Sequence, residues 1–154
     1  MATNLVSIRQ NLKTVLEAIN GTGSYKTSVT KVAYWTQAVV QIPVSDLPFI
    51  GIRPANVVAV HYPNGRIRHE FTVALHCIVQ DIGVDETLTK LENLYDDIIY
   101  AVNLDTQRGT TGTLKNAVAT YDGGLVFEEY TPDNRLASAL VTLKIPYHKT
   151  TSSS

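Results

Sequence analysis

Apolar residues at Phe71, Val73, Leu75, Cys77 and Val79 alternate with more polar ones, a period of two that predicts a strand with one face on a core. The strand can extend from Arg66 to Gln80, and Pro63-Asn64-Gly65 turns it back on Val57 to Tyr62, so the segment reads as a long β-hairpin. Its two halves differ in chemistry. Toward the turn, Arg66, Arg68, His69 and Glu70 replace the apolar residues on both faces, which leaves too little hydrophobic surface for the same core. The tip is therefore expected to project. Because an isolated two-stranded ribbon is only marginally stable, it is also expected to meet a neighbour.

Two segments carry helical spacing. Leu5, Ile8, Leu12, Val15, Leu16 and Ile19 line one face, opposite Arg9, Gln10, Lys13 and Glu17, and Gly21 stands where a helix would end. Leu88, Leu91, Leu94, Tyr95, Ile98, Ile99 and Val102 form the second stripe, with Asp85 expected as N-cap and Glu86 in the first turn. Between them, Val29, Val32, Tyr34, Val39, Val40 and Ile42 predict extended segments. Phe49-Ile50-Gly51-Ile52-Arg53, bracketed by prolines at 43, 48 and 54, reads as a short edge strand or a connection.

Past the second helix, Asp105 to Thr113 reads as a flexible loop and Leu114 to Tyr121 as a strand. Asp122-Gly123-Gly124 is expected to turn the chain into a strand from Leu125 to Tyr130. Thr131 to Asn134 forms another turn, and Ala137, Ala139, Val141, Leu143, Ile145 and Tyr147 alternate along a last strand. The predicted class is α+β: a mixed or antiparallel sheet with two main helices packed on one face and a projecting β-hairpin. Residues 1–149 are expected to form a single domain and Thr150 to Ser154 a disordered polar tail.

Composition narrows the function more by exclusion than by assignment. A chain of 154 residues with 44% hydrophobic and 18% charged residues and a formal net charge of -1 has enough apolar content for its own core, and it lacks the charge of a general nucleic-acid or membrane binder. The lone Cys77 sits on the apolar strand face and reads as inert core. With no apolar run of roughly 20 residues and no secretory pattern at its start, the chain is expected to be cytosolic when made, so the glycosylation triplet Asn20-Gly21-Thr22 has no setting in which to act.

Catalytic, metal and cofactor chemistry find no convergent residue set. His61 and His69 share one face of the hairpin if Pro63-Asn64-Gly65 forms a type I turn with a glycine bulge, whereas His76 falls on the other face, more than about 20 Å from His69 along the strand. Glu92 and Asp96 share a helix face that reads as water-facing, while the adjacent Asp97 points elsewhere. Gly21-Thr22-Gly23-Ser24-Tyr25-Lys26-Thr27 lacks the Gly-Lys-Ser/Thr ending of a phosphate loop and follows a helix rather than a strand. Arg66, Arg68 and Tyr62 suit phosphate and base contacts, or equally the polar contacts of a protein interface.

Taken in order from about Asn4 to His148, the elements resemble the tail terminator, or tail completion, proteins of long-tailed bacteriophages, including the minor tail protein U group. The resemblance rests on the opening helix Leu5 to Ile19, Phe49-Ile50-Gly51-Ile52-Arg53, the hairpin around Pro63-Asn64-Gly65, the helix carrying Tyr95-Asp96-Asp97-Ile98, and the closing strand Leu136 to Tyr147. It implies a structural, non-enzymatic virion subunit that forms a ring, expected to be hexameric, on the tail tube. The ring stops tube elongation and offers a docking surface to the neck or head connector. Implied partners are the tail tube protein, the connector protein and, in a contractile tail, the sheath, with DNA only in transit and no membrane or cofactor. The implied location is the tail–neck junction of the virion, after assembly in the host bacterial cytoplasm.

Contacts with sister subunits, tube or connector are then expected from Tyr62, Pro63, Asn64, Gly65, Arg66, Arg68 and His69 at the hairpin tip, and from Thr106, Gln107, Arg108, Thr110 and Thr111 in the threonine-rich loop. Another neck or head-completion subunit or a tail tube protein is the alternative. The amphipathic helix at the start argues against the tube, whose wall needs mainly β-structure. A small hydrolase is a more distant alternative.

Overall fold

The computed structural model describes residues 5–34, 42–61, 66–103, 120–133 and 135–150. Helix α1, Leu5–Glu17, follows the stripe expected of it: Ile8, Leu12, Val15 and Leu16 are buried at helical spacing. Its end tightens through hydrogen bonds from the amides of Ala18 and Ile19 to the carbonyls of Val15 and Leu16, both 3.2 Å, and Gly21 then takes a φ of 76°. Helix α2, Val84–Asn103, starts two residues before the site that Asp85 as N-cap implied. The Gly83 carbonyl already accepts the Thr87 amide at 3.0 Å, so Gly83 caps the helix. Asp85 lies inside the first turn with Glu86, where a carboxylate favours the helix dipole.

The strands are β1 (Lys31–Tyr34), β2 (Phe49–His61), β3 (Arg66–Gln80), β4 (Thr120–Thr131) and β5 (Leu136–Thr150). They form one sheet in the order β1-β2-β3-β5-β4, in which β1 and β2 are parallel and the other neighbours antiparallel. The class is thus α+β with a mixed sheet. The alternation read in the sequence holds without exception over the core: Phe71, Val73, Leu75, Cys77 and Val79 of β3 and Ala137, Ala139, Val141, Leu143 and Ile145 of β5 are all buried with α1 and α2 in one cluster. Both helices therefore cover the same face. On the other face, Ile42, Phe49, Ile78 and Leu136 form a smaller cluster at one end, joined by Ala33 and Leu47.

Three expectations need correction. Phe49 to Arg53, expected as a short edge strand or a connection, opens the 13-residue strand β2 and lies between β1 and β3. Asp122-Gly123-Gly124 does not reverse the chain. Tyr121 faces Leu143 and Leu125 faces Val141, so three residues of β4 are accommodated opposite Thr142 as an irregularity within one strand. Thr150, expected at the start of a polar tail, is the last residue of β5 and pairs with Arg66. Of the remaining expectations, the extended positions Val39 and Val40, the loop and strand over 105–119 and the tail residues 151–154 lie outside the described residues.

Candidate functional site

The hairpin is built unevenly along its length. β1 has only four residues and pairs with β2 from Phe49 to Ile52, where Phe49, Ile50, Gly51 and Ile52 are all buried. Pro54, which has no N–H to give, follows directly. The β2–β3 register then shifts, Pro54 facing Val73 and Asn56 facing Thr72, so that Ala55 is an extra residue. A one-residue insertion reverses which face each later residue serves. Before it, Ile50 and Ile52 point to the helix-bearing face; after it, Val57 pairs with the buried Phe71, and Val58 pairs with Glu70 on the other face.

Past this bulge β2 loses its outer neighbour. Ala55, Asn56, Val57, Val58 and Ala59 are all exposed, Val57 by 40% and Val58 by 50%, and no described residue pairs with their outer side. On the inner side the hairpin is stronger than a bare ribbon. β5 pairs with β3 over its whole length, from Gln80 with Leu136 to Arg66 with Thr150, so this end is three strands wide. The other margin of the sheet is β4, where Val126 and Phe127 are exposed by 50% and 51%. Val126 faces Leu140 and Phe127 faces Ala139, placing one on each side of the sheet.

Of the interface residues expected from the sequence, Arg66, Arg68 and His69 open β3, and His69 is half-buried opposite Ala59 and Tyr147. Tyr62, Pro63, Asn64 and Gly65, and Thr106, Gln107, Arg108, Thr110 and Thr111, lie outside the described residues. The register Ala59 with His69 and His61 with Ile67 gives positions 61 and 69 the same parity, as a three-residue turn requires, and His76 the opposite one. Among the described residues no group of three or more His, Cys, Asp or Glu could hold a metal ion.

His76 instead belongs to a polar cluster on the helix-free face. Its Nε2 lies 3.2 Å from Oε1 of Glu128, and it is buried between Gly51 and Leu140 in register. Burial lowers its pKa, and the nearby Arg53 adds to this, against the opposing pull of Glu128 and Glu129. Ser138 shares this face, but its buried hydroxyl has no hydrogen-bond partner among the described residues, so Ser138 and His76 do not form a linked nucleophile and base. Cys77, on the core side, has its thiol pushed up to about 12 by burial.

Asp97 is the polar residue whose importance the sequence concealed. Glu92 and Asp96 are exposed, as expected, but Asp97 is buried and takes hydrogen bonds from the amides of Lys26, 3.0 Å, and Thr27, 2.7 Å, and from the Thr27 hydroxyl. The glycine-rich loop thus directs two amides at a carboxylate of its own chain. Lys26 also reaches Asp96 at 3.2 Å. This fastens the segment that leads into β1, where the Thr30 amide bonds the Pro48 carbonyl at 2.9 Å. Beside it is an open cleft of about 560 Å³, lined by Lys26, Thr27, Pro48, Asp81, Glu86 and Lys90 among others. Lys90 is engaged there with the Gln80 carbonyl at 3.1 Å.

Among the described residues, the features best suited to function are therefore two strand edges without a partner, the outer side of β2 from Ala55 to Ala59 and that of β4. The exposed valines of β2 stood inside a strand the sequence had already indicated, and the run Ala55 to Val60, free of charge and of proline, was the signal for them. Models of known protein families give no match to this chain, and curated proteins give no significant match in sequence.

Proposed function

We propose that the chain is a tail terminator subunit of a long-tailed bacteriophage. It assembles into a ring, expected to be hexameric, on the end of the tail tube. There it stops elongation and offers the docking surface for the neck or head connector. It works in the virion at the tail–neck junction, with DNA passing through the ring and no catalytic role.

The observation that carries this reading is the uncharged, exposed stretch Ala55 to Ala59 of β2, on the arm that leads to Pro63-Asn64-Gly65. Unpaired strand edges are normally short, charged or covered, since bare ones pair with other chains. A long, valine-rich edge on an assembly protein is coherent with a neighbour that completes it. The order of elements supports the same reading through its resemblance to the tail terminators.

The test is the solution mass of the purified protein by light scattering, with negative-stain images in the presence and absence of tail tubes. A closed ring, or a monomer that becomes a ring on tubes, is the expected result. Changing Arg66 and Arg68 together to Glu is expected to weaken assembly while the subunit stays folded. A monomer or dimer that ignores tubes and connectors would refute the assignment.

A further inference from the structure

We infer that the outer edge of β2 beyond Pro54 receives the β4 edge of a second copy of this chain in a head-to-tail seam. The inference rests on the ring assembly proposed above and names the strands that would build it. Three antiparallel steps separate β2 from β4, through β3 and β5, so the two marginal strands run in opposite directions. Rotation about an axis inclined to the strands by less than a right angle preserves strand direction. The inclination is required, because Val57 is level with Ile145 of β5 and Phe127 with Ala139, a rise of about 20 Å across the sheet that matches the strand tilt of a closed barrel. A neighbouring copy related in this way therefore sets its β4 antiparallel to β2, with its helices on the same side.

The side chains fit that geometry in one register. Val57 and Phe127 belong to the helix-bearing face, and Val58 and Val126 to the other, as their partners Phe71, Ala139, Glu70 and Leu140 show. Residues directly opposite across a seam share a face. Antiparallel pairing of Val57 with Phe127 of the second copy sets Val58 against its Val126 and Ala59 against its Leu125. The exposed apolar pairs of both margins then cover each other. Parallel pairing would bring Val58 against Glu128 instead. Pairing β2 with itself about a two-fold axis, centred on Val58, would set Val57 against Ala59 and leave β4 open. The seam ends where β4 bulges between Phe127 and Glu129. Heterologous contacts of this kind generate rings when the rotation closes, and a closed ring has no free edge.

Disulfide trapping tests the seam, because opposite residues in an antiparallel pair lie roughly 4.5–5.5 Å apart at Cα, within disulfide range. Val58→Cys and Val126→Cys are made in separate chains, Cys77 being buried and out of reach. The two are oxidised alone and mixed, both free and on tail tubes. The expected result is a crosslinked dimer in the mixture only, repeated on the other face by Val57→Cys with Phe127→Cys. Crosslinking of Val58→Cys alone would overturn the inference in favour of a two-fold contact. A multimer by light scattering without a crosslink in either mixture would overturn the seam and leave the ring standing. A monomer in every condition, without crosslinks, would overturn both.

Discussion

The two halves of β2 make opposite use of one strand. From Phe49 to Ile52 it is covered by β1 on one side and β3 on the other, and every residue is buried. From Ala55 to Ala59 no described residue pairs with the outer side and every residue is exposed, although Asn56 is the one polar side chain among them. Where burial and polarity agree, a segment is explained by its own fold. Where an apolar, β-prone segment stays exposed, it is a place for another chain to bind, which is the reading proposed here. The proline and the bulge at 54–55 mark the transition, and by reversing the parity they put Val57 on the helix-bearing face and Val58 on the other.

The largest contrast should come from truncation. Ile50→Ala is expected to cost about 2–5 kcal/mol in urea denaturation, because it leaves a cavity in the main core, whereas Val58→Ala should change the isolated subunit by no more than about 0.5 kcal/mol. Equal costs would abolish the distinction between the halves. Asp97→Ala comes next, at roughly 1–3 kcal/mol, since it strands buried donors of Lys26 and Thr27. Hydrogen exchange in that variant should quicken in β1 and at Phe49–Ile52, which depend on the anchored loop, and stay unchanged beyond Ala55.

A smaller effect concerns His76, opposite Gly51 in the covered half. Its pKa is lower in the folded state than the ordinary 6.5, so the unfolded chain binds the proton more readily. The stability it contributes is therefore present above about pH 6.5 and is lost as pH falls from there through the folded value. Denaturation of the His76→Gln variant across this range should show a flatter pH dependence than the parent. The least change is expected at Cys77. Its raised pKa and burial should keep it silent toward a thiol reagent near neutral pH until the protein unfolds, while a cysteine placed at position 58 reacts freely in the monomer.

Much of this architecture was legible because local periodicity and burial coincide. The stripe of α1 from Ile8, that of α2 from Leu91 and the alternating positions of β3 and β5 face the core that their spacing implied, whereas Leu88, read into the α2 stripe, is exposed. What escaped the sequence were pairings set over long distances. Asp122-Gly123-Gly124 looks like a turn, yet β5 holds the chain straight on either side of it. Asp96 and Asp97 are indistinguishable in type, and only the loop 70 residues away separates an exposed carboxylate from a buried anchor. The bare half of β2 was recognisable as strand, but its exposure depends on which segments lie beside it, and the described pairing with β1 ends at Ile52, which no pattern within β2 records.

The most direct test of the account is the mass of the native protein against that of Val58→Lys, by light scattering over a range of concentrations and on tail tubes. A charge on the bare edge should block strand addition at little cost to the subunit. The account requires the native chain to form a closed multimer, alone or on tubes, and the variant to remain a monomer with an unchanged urea midpoint. A variant that assembles like the native chain would contradict it.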